Sequence, residues 1–291
     1  MSNSKLEFKA IGTSWEIDIY DSLESKDEAV LLQKIMVRIA EFDLAYSRFR
    51  EDSLVTKMSQ EEGEYTLPDD ADKMISLYRR VYEATNGLVT PLIGQVLVDA
   101  GYDANYSLVE KPMSNPKSWD DILEWQNPML VLKEPALLDF GAGGKGYLVD
   151  IISEILEEEG IQNYGVDGSG DMRHRKTNGE PLRVGLENPA NATEVIGVAL
   201  LGNESLCGSA GNRRKWGDFH HIINPETLSS PKEIEAVWVV ASTTLLADLL
   251  TTGLFFVPPE TLLKHFEFEY LIVYSDFSVG KSDGFKAELF T

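Results

Sequence analysis

Four glycines lie within six positions of the segment LDFGAGGKGYLVD, where they could form a phosphate-binding turn. Gly141, Gly143 and Gly146 have the G-x-G-x-x-G spacing of a dinucleotide-binding loop, and Asp167 follows at about the distance of a ribose-binding acid. This pattern favours a nicotinamide dehydrogenase as a first hypothesis. A tight turn without a ligand would also account for it, because glycine reaches dihedral angles that are closed to other residues.

A second group of residues with chemical potential lies in the segment ADLLTTG. Asp248 and Thr252 are four positions apart, so on a helix their oxygens project from the same face. An aspartate among leucines is costly to bury without a partner, and Mg²⁺ binds oxygen ligands of this kind. We therefore expect either a solvent-facing acid or a hard-metal site, to which a carbonyl of the glycine-rich segment could contribute.

Two adjacent histidines, His220 and His221, stand in the segment HHIINP at the end of a strand-like stretch. Strand alternation sends them to opposite faces, so they cannot easily chelate one metal. His221 is our candidate for a catalytic base, because an imidazole titrates near neutrality. A carboxylate near the metal is the alternative base.

The elements that must position these residues are strands in hairpin-like succession with helices inserted between them. Alternating or apolar strand patterns occur in LEFKAIGTSWEIDIYD, MLVLK, ALLDF, NYGVDG, LRVGLENP, EVIGVALLG, EAVWVVAS and FEYLIVYSD. Helical patterns occur in DEAVLLQKIMVRIAEFDLAYS, DDADKMISLYRRVYEATNG, GYLVDIISEILEEEG and TLLADLLTTGLFFV. Residues 103–127 read as a loop-rich surface insertion. The order predicts an α+β fold rather than a regular βαβ alternation, which argues against a dehydrogenase.

The composition restricts the class of partner. The 291 residues include 26 basic and 48 acidic side chains, for a net charge of −22, which disfavours nucleic acid. A bound diphosphate would need local help from a cation or a helix N-terminus. Cys207 is the single cysteine, so an intramolecular disulfide is excluded. We expect a cytoplasmic protein without a membrane span, although a trimmed export signal would leave the same start.

Six segments in order resemble the motifs of the ApbE family, the FAD:protein FMN transferases. They are IGTSW, YSRFREDSLVTKMS, TNGLVTPLIGQVLVDAGYD, LDFGAGGKGYLVD, HHIINPETL and ADLLTTG, and they run from about residue 11 to residue 256. The resemblance implies an α+β fold of mixed or antiparallel sheets with inserted helices, in which residues 1–291 form one compact unit of two intertwined halves. It also implies transfer of FMN from FAD onto a threonine or serine of a target flavoprotein, with Mg²⁺ as the metal.

Site residues follow from the same resemblance, position by position. Ala142, through its carbonyl, Asp248 and Thr252 match the family's metal ligands. The positions that match the cofactor site are Ile11, Phe49, Leu88, Val89, Thr90, Asp139, Lys145 and Ile222.

The chain also departs from the family pattern. Leu88, Val89 and Thr90 replace the usual alanine, phenylalanine and aspartate, and Ala210 stands where a serine is common. The metal set is intact, but an acid that lines the pocket in relatives is missing. Two other functions therefore stay open beside the transferase: hydrolysis of FAD to FMN and AMP, and binding of FAD without catalysis.

Overall fold

A computed structural model describes residues 4–290, which form sixteen strands and eight α-helices. The strands are β1 (Ser4–Ala10), β2 (Thr13–Ile19), β3 (Gly63–Thr66), β4 (Leu123–Gln126), β5 (Met129–Leu132), β6 (Tyr164–Asp167), β7 (Asp171–Arg175), β8 (Leu182–Asn188), β9 (Asn191–Leu201), β10 (Ser205–Ala210), β11 (Lys215–Trp216), β12 (Phe219–His220), β13 (Ile234–Ala241), β14 (Glu269–Tyr274), β15 (Val279–Lys281) and β16 (Ala287–Leu289). The helices are α1 (Ser25–Tyr46), α2 (Leu54–Met58), α3 (Ala71–Ala84), α4 (Gly94–Asp99), α5 (Trp119–Ile122), α6 (Gly144–Glu158), α7 (Thr244–Gly253) and α8 (Pro259–Leu262).

Eight strands form the central sheet in the order β1-β2-β6-β7-β10-β13-β14-β15. Every strand pairing within the described residues is antiparallel. Two three-stranded sheets, β16-β9-β8 and β3-β5-β4, and the β11–β12 hairpin complete the β structure. The α+β prediction is confirmed.

The central sheet is buried on both faces at β13, as the alternation of its side chains shows. Val237 and Val239 point into the core shared with the helices, whereas Ala236 and Trp238 point into a second core beneath the β16-β9-β8 sheet. Side chains alternate along a strand, so a run such as EAVWVVA can supply both cores at once. The helix-side core contains residues from Leu6 to Ile272, and the two ends of the chain therefore share it.

The predicted strand at residues 136–140 is wrong. This stretch has no regular structure, because the Asp139 N–H donates to the carbonyl of Pro91 (2.7 Å) instead of to a neighbouring strand. Gly94 makes this approach feasible, since an added Cβ there would lie 2.3 Å from the Leu137 carbonyl oxygen. The segment that enters the glycine-rich loop is thus held by the 3-10 turn at Pro91–Ile93.

The predicted surface insertion is correct only for its first part. Residues 103–118 contain no helix or strand, but Trp119 is buried and belongs to the helix-side core. In the part of the chain that is described, no helix has the length and apolar character needed to cross a bilayer.

Candidate functional site

A cavity of about 520 Å³ opens where the N-terminus of α6, the β6–β7 turn, the β8–β9 hairpin, β10 and α7 meet. Such a volume is in the usual range for small-molecule sites. The predicted site residues that line it are Phe49, Leu88, Val89, Thr90, Asp139, Ala142, Lys145, His221, Ile222, Asp248 and Thr252. Ile11 is not among the lining residues. It occupies the β1–β2 turn with a φ of 43° and packs on the helix-side core, while its neighbour Thr13 reaches the cavity.

The glycines of the loop allow α6 to lie close to α7. A Cβ at Gly143 would come within 2.7 Å of the Leu249 side chain, and one at Gly146 within 2.4 Å of the Thr244 carbonyl oxygen. The Gly146 N–H donates to Asp248 at 2.9 Å. Close helix packing therefore accounts for these two glycines, and an antiparallel sheet lacks the βαβ units of a dinucleotide-binding domain. The dehydrogenase hypothesis is wrong on both counts.

A second contact fixes α7 against α6. The carboxylate of Asp150 accepts hydrogen bonds from the N–H groups of Thr244 and Leu245, both at 2.8 Å, at the start of α7. An acid at a helix N-terminus satisfies free N–H groups and complements the helix dipole. Asp150 and Gly146 together hold the loop beside Asp248.

Asp139 shapes the glycine-rich loop from its entrance. One carboxylate oxygen accepts from the Gly141 N–H at 2.6 Å, and the other pairs with the guanidinium of the buried Arg48. Arg48 also donates to the Tyr102 carbonyl at 2.7 Å and lies over the Phe49 ring at 4.2 Å. Sequence reasoning missed Arg48, although it directly precedes the predicted Phe49.

Three charged side chains meet at the floor of the cavity. The Lys145 ammonium lies 2.8 Å from the Asp171 carboxylate and donates to the carbonyls of Gly168 (2.8 Å) and Ser169 (3.3 Å). Two of the three ammonium hydrogens thus go to carbonyls, and Asp171 interacts with the ammonium as an ion pair. Burial lowers the pKa of Lys145, but the nearby Asp171 and Asp248 outweigh it, and the pKa lies above its ordinary value.

Asp248 is a buried acid at this floor. Its side chain is buried, and the Asp171 carboxylate lies beside it. Burial first, and then the charge of Asp171, raise the pKa of Asp248 well above its usual range. The Lys145 ammonium pairs with Asp171, so the buried Asp248 carboxylate has no ion-pair partner among the described residues and would be stabilised by a bound cation. Sequence reasoning also missed Asp171, whose one signal was the glycine-containing turn before it.

This floor suits a hard cation such as Mg²⁺. Asp248, Thr252 and Ala142 line the same cavity, and they carry a carboxylate, a hydroxyl and a backbone carbonyl, which are all oxygen ligands. Within residues 4–290, no three side chains of His, Cys, Asp or Glu converge to hold a metal ion. A site that also uses a hydroxyl and a carbonyl does not need such a cluster, so the residues present fit the metal.

The two histidines differ in their surroundings. The His220 ring is tied to the Pro231 carbonyl (3.0 Å) and to the Ile222 N–H (3.3 Å). His221 faces the cavity, and its buried Nδ1 has no hydrogen-bond partner among the described residues. Burial first, and then the positive charge of Arg214, lower the pKa of His221 to about 3. His220 is therefore structural, and His221 is a neutral imidazole available to a ligand.

The remaining wall is largely apolar. Val89 and Ile222 are nearly inaccessible, and the Thr90 hydroxyl accepts from the Leu92 N–H at 3.2 Å, which caps the 3-10 turn. At the mouth, the Phe49 ring stacks on Tyr106 with centroids 5.7 Å apart and an interplanar angle of 10°. This side of the cavity offers flat apolar surfaces of the kind that pack on an aromatic ligand.

Comparison with known proteins agrees with the sequence motifs. The family model described as ApbE family matches residues 11–272. The chain is 25% identical to the FAD:protein FMN transferase of Escherichia coli strain K12, over 92% of this chain and 82% of that protein. It is also 25% identical to the FAD:protein FMN transferase of Haemophilus influenzae, over 92% and 85%.

Solved structures show the same fold. The ApbE protein of Thermotoga maritima superposes with a TM-score of 0.84 at 21% identity and 97% coverage of both chains. The flavin transferase ApbE of Vibrio cholerae superposes with a TM-score of 0.80 at 20% identity, over 97% of this chain and 96% of that one. With a family match that spans most of its length and the shared fold, this chain belongs to the ApbE family.

Proposed function

We propose that this protein is a Mg²⁺-dependent transferase that moves FMN from FAD onto a threonine or serine hydroxyl of a target flavoprotein and releases AMP. The observation that carries the proposal is the buried Asp248 carboxylate, which the Gly146 N–H holds beside Thr252 and Ala142 at the floor of the cavity. Relatives over most of the chain are FAD:protein FMN transferases, which supports the flavin substrate.

The reaction is a phosphoryl transfer. The acceptor hydroxyl attacks the FMN-side phosphorus, a new phosphorus–oxygen bond forms, the diphosphate bridge breaks, and AMP leaves. Asp248, Thr252 and Ala142 would hold Mg²⁺, which when bound neutralises the diphosphate and makes its phosphorus more electrophilic. The Lys145 ammonium pairs with Asp171 and donates to the carbonyls of Gly168 and Ser169, so it fixes the β6–β7 turn at the floor of the cavity.

His221 is our candidate for the group that takes the hydroxyl proton. Its imidazole is neutral, lines the cavity and has an unpaired Nδ1 within the described chain. A pKa of about 3 makes it a weak base in the empty cavity. A nearby anionic diphosphate would favour the protonated form and strengthen it. A carboxylate at the floor of the cavity is the rival.

The test measures, by chromatography, the AMP that is released from FAD in the presence of Mg²⁺, with and without a threonine-bearing flavoprotein acceptor. Covalent flavin on the acceptor is read as fluorescence in a denaturing gel. Asp248→Asn should reduce both signals by at least about 100-fold, since it removes a metal-ligand charge. Asp18→Asn, which removes the same charge from β2 outside the cavity lining, is the matched control.

Each alternative function has its own result in this assay. AMP without labelling, with an acceptor that a family relative does label, indicates hydrolysis of FAD. Intact FAD that stays bound after prolonged incubation with Mg²⁺ indicates a binding protein. The feature that motivates this alternative is Thr90, which replaces the aspartate usual in the family. Full transfer activity in Asp248→Asn would refute the metal assignment.

A further inference from the structure

The cationic side chains at the cavity differ in whether a carboxylate neutralises them. Lys145 pairs with Asp171, and Arg213 pairs with Glu187 at 2.5 Å. Arg214 also lines the cavity, but it forms no ion pair with any carboxylate of residues 4–290. In a chain with 48 acidic and 26 basic residues, an arginine at a cavity without an acidic partner is a notable exception.

The position of Arg214 is held by its neighbours. Its guanidinium donates to the Tyr102 hydroxyl at 3.1 Å, and its backbone carbonyl accepts from the His221 N–H at 3.2 Å. Tyr102 is itself buried and stacks on Trp216, with ring centroids 5.5 Å apart. The guanidinium therefore stands on a packed aromatic support, beside the histidine that faces the cavity.

The remaining N–H groups of this guanidinium have a limited choice of partners. One interaction with a phenol hydroxyl uses one of five donors, and the others are free for a ligand. Phosphate oxygens match the planar fork of arginine and form short, charge-assisted hydrogen bonds with it. The carbonyls and ring nitrogens of a flavin also accept hydrogen bonds, but they are neutral, so phosphate is the stronger partner.

We propose that Arg214 binds a phosphate group of the substrate and makes the cavity selective for phosphorylated flavins over riboflavin. This inference rests on the proposed function, in which the cavity accepts FAD. Arg214 supplies the positive charge that Lys145 and Arg213 cannot supply while their own carboxylates neutralise them. It is a specificity-determining residue and requires no part in proton transfer.

The test compares Arg214→Met and Arg214→Lys with the wild-type protein in equilibrium binding, measured by flavin fluorescence, with FAD, FMN and riboflavin as three separate ligands. In Arg214→Met, the dissociation constants of FAD and FMN should rise about 10-fold to 100-fold, the range for a hydrogen bond to a charged group. Riboflavin should change by less than about twofold, because it has no phosphate. Arg214→Lys should recover part of the loss, since it keeps the charge but not the fork.

Arg183→Met is the matched control. It removes the same charge from an exposed position on β8 outside the cavity lining, so FAD affinity should change by no more than about threefold. Raising the salt concentration should weaken FAD binding more in the wild type than in Arg214→Met.

Several results would overturn the inference. FAD affinity unchanged in Arg214→Met, or equal losses for FAD and riboflavin, would show that Arg214 does not read the phosphate. A wild-type protein that binds riboflavin as tightly as FAD would do the same. A protein that binds FAD with this selectivity but transfers no FMN would refute the proposed function and leave the role of Arg214 standing.

Discussion

Replacement of Lys145 by methionine tests whether the floor of the cavity is held by a buried ion pair. The change keeps most of the side-chain length but removes the ammonium, so the Asp171 carboxylate loses its partner at 2.8 Å. Breaking a buried pair from one side costs about 3–5 kcal/mol, because a charge is left without compensation. The Asp171 side chain is 2% exposed and that of Lys145 is 26% exposed, which places the expected loss near about 3 kcal/mol.

The free energy of unfolding is measured by urea denaturation, monitored by circular dichroism near neutral pH. A loss of this size corresponds to a melting temperature about 5 °C lower in a protein of 291 residues. The control is Lys73→Met, which breaks the surface pair with Glu154, whose side chains are 56% and 53% exposed. Its effect should stay below about 1 kcal/mol.

A second substitution makes the prediction specific. Asp171→Asn in the Lys145→Met background removes the stranded charge, so the double variant should regain most of the lost stability. If Lys145→Met unfolds no more easily than Lys73→Met, the buried ion pair does not stabilise the floor of the cavity. A double variant as unstable as the sum of the two single changes would show that no stranded charge caused the loss.

Three further predictions concern the loop and the wall of the cavity. Gly146→Ala should lower the free energy of unfolding by about 1–3 kcal/mol, because its Cβ would meet α7. Gly202→Ala should have little effect in the same unfolding experiment, because its Cβ would meet only the Glu204 side chain, at an ordinary contact distance of 3.5 Å. His221→Gln should make the free energy of unfolding less sensitive to acid. The pKa of His221 is lowered to about 3 in the folded protein, so below about pH 6.5 the unfolded state binds a proton that the folded state does not. The wild-type protein therefore loses stability as the pH falls from about 6.5 toward 3. The variant should therefore lose about 2 kcal/mol less than the wild type between pH 6.5 and pH 5, and equal losses would contradict the pKa shift. Phe49→Ala should weaken FAD binding about twofold to tenfold in a fluorescence titration, whereas Phe277→Ala, at an exposed turn away from the cavity, should not.

Periodicity in the sequence predicted most of the regular elements. The long amphipathic pattern matches α1, the alternating and apolar runs match strands of the central sheet, and the order of elements indicated an α+β fold. Local residue chemistry misled the prediction at residues 136–140. Those residues look like a strand, but their backbone bonds to a turn from a distant part of the chain.

The residues of the candidate site were likewise predictable from the sequence only in part. Asp248 and Thr252 were predictable because four positions on one helix define one face, and the motifs around them resemble those of the ApbE family. The reason for Gly143 and Gly146 was not predictable, because a close approach of α7 to α6 leaves no trace in the loop itself.

The amino-acid sequence by itself determined the elements, the family motifs and the strongly acidic balance, since these depend on residues that are near in the chain or simply counted. Only the tertiary structure decided that Arg48 pairs with Asp139, that Lys145 is neutralised by Asp171, and that Arg214 has no acidic partner in the described chain. Charges act through distance in space, and the fold places residues from distant segments within a few ångströms of one another.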